Sequence, residues 1–317
     1  MKGVLLDMKT IDSSDIDFGP LNNVIPEWQF YDFTAESEVI ERIRNADIIV
    51  TNKVKINRDH LAQVDSLKLI CVAATGTNNV DLDIATQLGI PVANVTNYAT
   101  PSVVQHVFCL ILSLITKLRQ YQQAVEENKW QASPFFCLLD YPISELSGKT
   151  LGIIGYGVLG KAVANVGKAF GMRVLVAAHK HAQPSEGRVA FAEVLQHADI
   201  ISIHCPLTAE TENLIDRQEL AMMKSSSIII NTARGGIINE EALAVALKTG
   251  QSGGAGTDVL SHEPPVSGNI LLDLMIPNLI ITPHIAWASV ESRQRAINEI
   301  ALNIDAFLKG EKRNRVC

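Results

Sequence analysis

Three side chains in the last third of the chain carry the groups needed to reduce a 2-keto acid: Arg234 in NTARGG, Glu263 in DVLSHEPP and His284 in TPHIAW. A guanidinium can hold a carboxylate through two parallel hydrogen bonds. An imidazole can give a proton to the ketone oxygen, and a carboxylate beside it favours the protonated ring. Taken singly, each residue has an ordinary reading as a surface charge, a solvated loop acid or a structural histidine. Their ordered occurrence gives them weight. The remaining requirement is a hydride source, and GYGVLG, from Gly155 to Gly160, points to one.

That motif follows an apolar run at 151–154 and opens a helical pattern at 161–170. In such a setting Gly155 makes the tight turn, Gly157 admits a pyrophosphate to the backbone, and Gly160 lets helix and strand approach. The helix N-terminus then offers free N–H groups to the phosphates. An acid is expected at the end of the next strand, accepting hydrogen bonds from the ribose hydroxyls. Ala178 stands there instead, followed by His179, Lys180 and His181. Without the carboxylate a 2′-phosphate meets less repulsion, and Lys180 has the charge to attract it. A solvated loop is the plainer reading of the same residues, so NAD and NADP both stand as cofactors.

Three loops can deliver the triad only if a sheet aligns their strands. Residues 4–6, 48–50, 69–73 and 91–93 read as buried strands, with helical spacing at 36–44 and 81–88. A second series starts after Leu146-Ser147-Gly148-Lys149, at 150–154, 173–177, 200–204, 227–231, 255–258 and 279–282. Strand–helix alternation implies parallel sheets covered on both faces. The expected class is α/β with two doubly wound parallel-sheet domains, whose ligands sit at the carboxyl ends of the strands. A long apolar helix from about Pro101 and another at 290–308 would join the domains, the second returning to the first domain.

Composition excludes other classes. A chain of 317 residues has room for two domains, and 47% hydrophobic with 19% charged residues suits substantial cores. A net charge of -7 without a long basic run argues against nucleic acid, leaving Lys309, Lys312, Arg313 and Arg315 as a solvated tail. The cysteines show no CxxC spacing, and the N-terminus lacks the apolar run of a signal peptide. Gln105, His106 and Lys117 interrupt the apolar helix, which falls short of a membrane span. A reduced, cytoplasmic protein is expected. His106 and His204 lack partners at metal-ligand spacing, so no metal site is expected, and His204 reads as packed with a backbone hydrogen bond.

With GYGVLG, NTARGG, GTDVLSHEPP and TPHIAW in this order, the chain resembles the D-isomer-specific 2-hydroxyacid dehydrogenases over essentially its whole length. VTNYATPSVVQH, ATGTNNVD and HIAWAS look most like the hydroxypyruvate-reducing branch. The resemblance implies a flavodoxin-like substrate domain over 1–99 and 288–317, and an NAD(P)-binding Rossmann domain over 100–287. It implies reversible hydride transfer from NAD(P)H to a small 2-keto acid, giving D-glycerate from hydroxypyruvate or glycolate from glyoxylate. Arg234, Glu263 and His284 become the catalytic residues, and Ala74-Thr75-Gly76 offers N–H groups to the substrate carboxylate. Cofactor contacts fall on Val158, Leu159, Cys205, Pro206, Thr211, Thr232, Ala233, Arg234, Asp258, His284 and Ala286, with Asp258 on the carboxamide. A homodimer built on the helix after Pro101 is implied as well. Two departures stand out: Ala178 replaces the ribose acid, and Trp287 fills a place that is small in the phosphoglycerate enzymes, closing the pocket around a short substrate. A broad D-lactate-type reductase and a dinucleotide-sensing corepressor are the alternatives.

Overall fold

Segments such as IIVT and LICV are buried at every position, so as strands they are covered on both faces. The computed structural model, which describes residues 1–273 and 275–317, makes them the centre of a sheet. Before residue 100 come β1 (Lys2–Leu5), α1 (Gly19–Val24), β2 (Glu27–Phe30), α2 (Val39–Ile43), β3 (Ile48–Thr51), α3 (Arg58–Leu61), β4 (Leu69–Val72), α4 (Leu82–Gln87) and β5 (Val92–Ala93). Next are α5 (Thr100–Ile115), α6 (Leu118–Glu126), β6 (Thr150–Ile154), α7 (Val158–Ala169), β7 (Arg173–Val176), α8 (Phe191–His197) and β8 (Ile200–Ile203). The chain ends with α9 (Arg217–Met222), β9 (Ile228–Asn231), α10 (Glu240–Lys248), β10 (Gly254–Thr257), α11 (Ile270–Asp273), β11 (Leu279–Ile281) and α12 (Val290–Leu308). It divides into two units, Met1–Ala99 with Trp287–Cys317, and Thr100–Ala286.

In the first unit a parallel sheet runs β2-β1-β3-β4-β5. Alternation along the strands sends Val4, Ile49 and Ile70 to one face, where they pack with Val39, Ile43 and Ile84 from α2 and α4. Leu5, Ile48, Val50 and Leu69 go to the other face, where Ala296, Ile297, Ile300 and Ile304 of α12 cover them. Ser289 caps α12 by accepting from Ser292 N at 3.2 Å. Arg293, nearly buried, ties the helix down through a bidentate pair with Asp15 at 2.6 and 2.7 Å. β2 has no sequence forecast because EWQF alternates exposed and half-buried, the pattern of an edge strand.

The second unit has the parallel order β11-β10-β9-β8-β6-β7. Beyond β7, Val189 forms a single parallel bridge with Ala177. That stub stands where the third strand of the 3-2-1-4-5-6 dinucleotide order would lie, so the fold is doubly wound with one strand reduced to a residue. β6 and β8 flank the point where the strand order reverses. Leu110 and Leu114 of α5 lie over β10, whose Gly256 and Gly254 leave room: a Cβ there would sit 3.1 Å from Leu110 Cβ and 3.4 Å from Leu114 Cδ2. The helix thus buries Val103, Val107, Leu110, Ile111 and Leu114 within its own unit. No single helix among the described residues is long and apolar enough to cross a membrane.

Candidate active site

The glycine motif is built by close approach. Gly155 has φ +91, and a Cβ there would meet Cys205 N at 2.5 Å, so the turn is pressed against the end of β8. A Cβ on Gly160 would penetrate Gly155 O, which keeps α7 tight on the strand. Gly157 is different: nothing lies within 4 Å of a Cβ built there. Gly157 is also the N-cap of α7, and no side chain caps the helix. An open cradle beside unsatisfied first-turn amides fits a pyrophosphate.

A cavity of about 740 Å³ opens at this point. Of the positions singled out in the sequence, Gly155, Gly157, His179, Lys180, Cys205, Pro206 and Thr211 line it. Val158 is exposed on the first turn of α7, followed by Leu159. Tyr156, Ala178, Arg188 and Thr208 also line the cavity. Lys180 departs from the phosphate-binding reading: its Nζ is 2.8 Å from Glu219 Oε1 and 3.3 Å from Leu214 O. Glu219 is a buried carboxylate, so the ammonium already has a counter-charge. His204 departs too. Its Nε2 lies 2.8 Å from Ser202 Oγ rather than on a backbone group, and its buried Nδ1 has no partner among the described residues. Burial lowers the His204 pKa to about 4, which leaves the ring neutral at neutral pH.

The triad stands on consecutive loops after β9, β10 and β11. Asn231, ending β9, folds the first loop by accepting from Ala233 N at 3.0 Å and donating to Arg234 O at 2.8 Å. Arg234 is exposed, with Nη1 on Ala233 O at 2.7 Å. In the second loop Glu263 Oε1 accepts from Leu260 N at 2.8 Å, which aims Oε2 at His284 Nδ1, 2.6 Å away. His284 has φ +55, a left-handed conformation that costs a non-glycine residue about 1–3 kcal/mol. Asp258, only 1% exposed, compensates. Its carbonyl accepts from His284 N at 2.9 Å, and its carboxylate takes Ile285 N, Ala286 N and the Thr282 hydroxyl at 2.9, 2.8 and 2.5 Å. Because Thr282 Oγ1 donates to Asp258, His106 Nε2, 2.8 Å from that oxygen, is the donor to it.

This second unit matches the profile described as D-isomer specific 2-hydroxyacid dehydrogenase, NAD binding domain, over residues 108–286. The chain belongs to the D-isomer-specific 2-hydroxyacid dehydrogenase family. It is 44% identical to a glycerate dehydrogenase of Methylorubrum extorquens, covering 99% of this chain and 98% of that one. It is 41% identical to a hydroxypyruvate reductase of Blautia hydrogenotrophica, covering 100% and 99%. Among solved structures, an acyclic imino acid reductase in complex with NADPH and D-Arg superposes with a TM-score of 0.85 at 28% identity, covering both chains fully. As a member of this family the protein is an NAD(P)-dependent oxidoreductase of 2-hydroxy acids.

Sequence reasoning passed over several parts of this dehydrogenase's site. His106 and Thr282 are 176 positions apart, so no local spacing announces their contact. Arg188 has no motif around it. Thr232, singled out as a cofactor contact, has a buried hydroxyl without a partner among the described residues. In the first unit, the Ala74–Gly76 stretch follows β4. There Thr75 Oγ1 donates to Val95 O and Asn94 Nδ2 donates to Thr75 O, at 2.9 and 2.7 Å. The oxygens are tied inward, while the amides of Ala74, Thr75 and Gly76 have no acceptor among the described residues. Trp287 of the same unit packs edge-on against Tyr98, ring centroids 6.3 Å apart.

Proposed function

We propose that the enzyme reduces hydroxypyruvate to D-glycerate, reversibly, and takes glyoxylate as a shorter substrate. The 2.6 Å contact between His284 Nδ1 and Glu263 Oε2 carries the reading. With Nδ1 on the carboxylate, Nε2 is the nitrogen that exchanges the proton with a substrate oxygen. The dinucleotide supplies the hydride when bound. In reduction His284 gives the keto oxygen its proton, and in oxidation it takes the proton back. Glu263 holds the ring and stabilises its positive charge. Arg234 clamps the carboxylate. The likeness to a glycerate dehydrogenase and a hydroxypyruvate reductase supports this choice of substrate.

The same reading includes a homodimer in the cytoplasm. Exposed aromatic side chains after α6 support the first, and five free thiols support a reducing compartment. Steady-state kinetics with NADH and NADPH over hydroxypyruvate, glyoxylate, pyruvate and a phosphorylated hydroxypyruvate test the substrate. The highest kcat/KM is expected for hydroxypyruvate. A preference for pyruvate or the phosphorylated acid, or no turnover on any, overturns the assignment.

A further inference from the structure

The reduced third strand of the dinucleotide unit brings a cation to the cleft. Ala178 N donates to Val189 O at 2.8 Å, and Val189 N donates to Val176 O at 2.9 Å. This clasp fixes Arg188 beside the tip of β7, where a ribose-binding acid would otherwise stand and Ala178 does. The Arg188 side chain lines the cavity of about 740 Å³, and its Nη1 donates to Ala177 O at 3.0 Å. One donor anchored on a carbonyl leaves the rest of the guanidinium fork available. No carboxylate pairs with Arg188 among the described residues, whereas Lys180, in the same lining, is committed to the buried Glu219. Glu210 is the acid in the lining, and it is exposed.

We propose that Arg188 selects the 2′-phosphate of NADPH and makes this chain an NADPH-preferring enzyme. A guanidinium offers a phosphate dianion two parallel charge-assisted bonds, and the missing acid removes the repulsion that would exclude it. NADH loses on the other side, since the Ala178 methyl accepts nothing from the ribose hydroxyls. The inference rests on the NAD(P)-binding unit and does not depend on the keto acid. Its test therefore measures binding, with no keto acid present.

Dissociation constants for NADPH and NADH, from nicotinamide fluorescence, should favour NADPH by about tenfold or more in the parent. Arg188→Leu should raise the NADPH constant by about ten- to hundredfold and leave NADH within about twofold. Competition on the unaltered protein repeats the comparison without any substitution: 2′,5′-ADP should displace bound NADH at lower concentration than 5′-AMP. Tighter NADH binding in the parent, or no advantage of 2′,5′-ADP, overturns the proposal. So does equal loss of both cofactors in Arg188→Leu, which would make the residue merely structural. A selective loss of NADPH in Lys180→Ala alone would move the role to that lysine.

Discussion

Glu263 reaches His284 with an oxygen that its own loop has already aimed, since its other oxygen is held by Leu260 N. His284 in turn is fixed from behind by Asp258, whose buried carboxylate collects the amides of Ile285 and Ala286. The imidazole is thus held at both its backbone and Nδ1, and proton transfer needs no search for the ring. His284→Ala should lower kcat by about 10² to 10⁴ with a small change in KM, because a general acid acts mainly in the transition state. Arg234→Ala should raise KM strongly and lower kcat as well, a loss of about 3 kcal/mol or more in kcat/KM. Steady-state rates on hydroxypyruvate separate the two patterns; near-parent kcat/KM in either variant removes that residue from the site. The sequence could single out all three as candidates because each lies in a distinctive local string. Asp258 was singled out as a candidate too, but its grip on the His284 loop was not, since that depends on backbone amides 27 and 28 positions away. The pairing of Lys180 was hidden for the same reason: its partner Glu219 lies on α9, far along the chain.

At the level of elements, the triad depends on how the loops after β9 and β10 lie against each other. Gly235 is where they touch. A Cβ there would penetrate Leu260 O and come within 2.5 Å of Ser261 N, and both atoms are backbone that cannot swing aside. Ser261 is itself pinned, its N and Oγ donating to Glu240 at 2.7 and 2.8 Å. Gly235→Ala should therefore push Arg234 away from the Glu263 loop. Expected is a fall in kcat/KM of about tenfold to a hundredfold, since a displacement of about 1 Å suffices for that. The NADPH dissociation constant should stay within about threefold, because the glycine motif lies at another strand end. Unchanged kcat/KM would mean that the two loops adjust independently. Apolar strands and the long helices could be read from their runs and spacing, and α12 matches its forecast limits. What escaped were elements whose pattern is weak for physical reasons: the edge strand β2, one turn of helix at α3, and a third strand cut to Val189. That last omission hid Arg188.

For the whole molecule, the family resemblance implied a dimer built on the helix after Pro101, and the helix's apolar residues fitted it. Those residues are largely accounted for within the second unit, where α5 covers β10. An exposed apolar surface lies further on, where Phe135, Phe136 and Leu139 are 73%, 91% and 83% exposed, with Trp130 and Ile143 more than half exposed. The segment is held in shape: Trp130 Nε1 donates to Phe136 O at 2.9 Å, and Tyr121 and Tyr141 meet edge to face at 5.2 Å. Ordered apolar side chains on a surface lose free energy to water at roughly 25 cal/mol per Å², a cost that a second copy removes by covering them. A closed two-fold dimer would cover the same segment on both chains. The parent should sediment at twice the 34.5 kDa chain mass. Phe135→Asp with Phe136→Asp should give the single-chain mass, because two desolvated carboxylates per chain oppose association. Neither ring is in the buried cores, so the monomeric variant should still unfold cooperatively and still bind NADPH. A parent that sediments at the single-chain mass at micromolar concentration would defeat the dimer, whatever its activity.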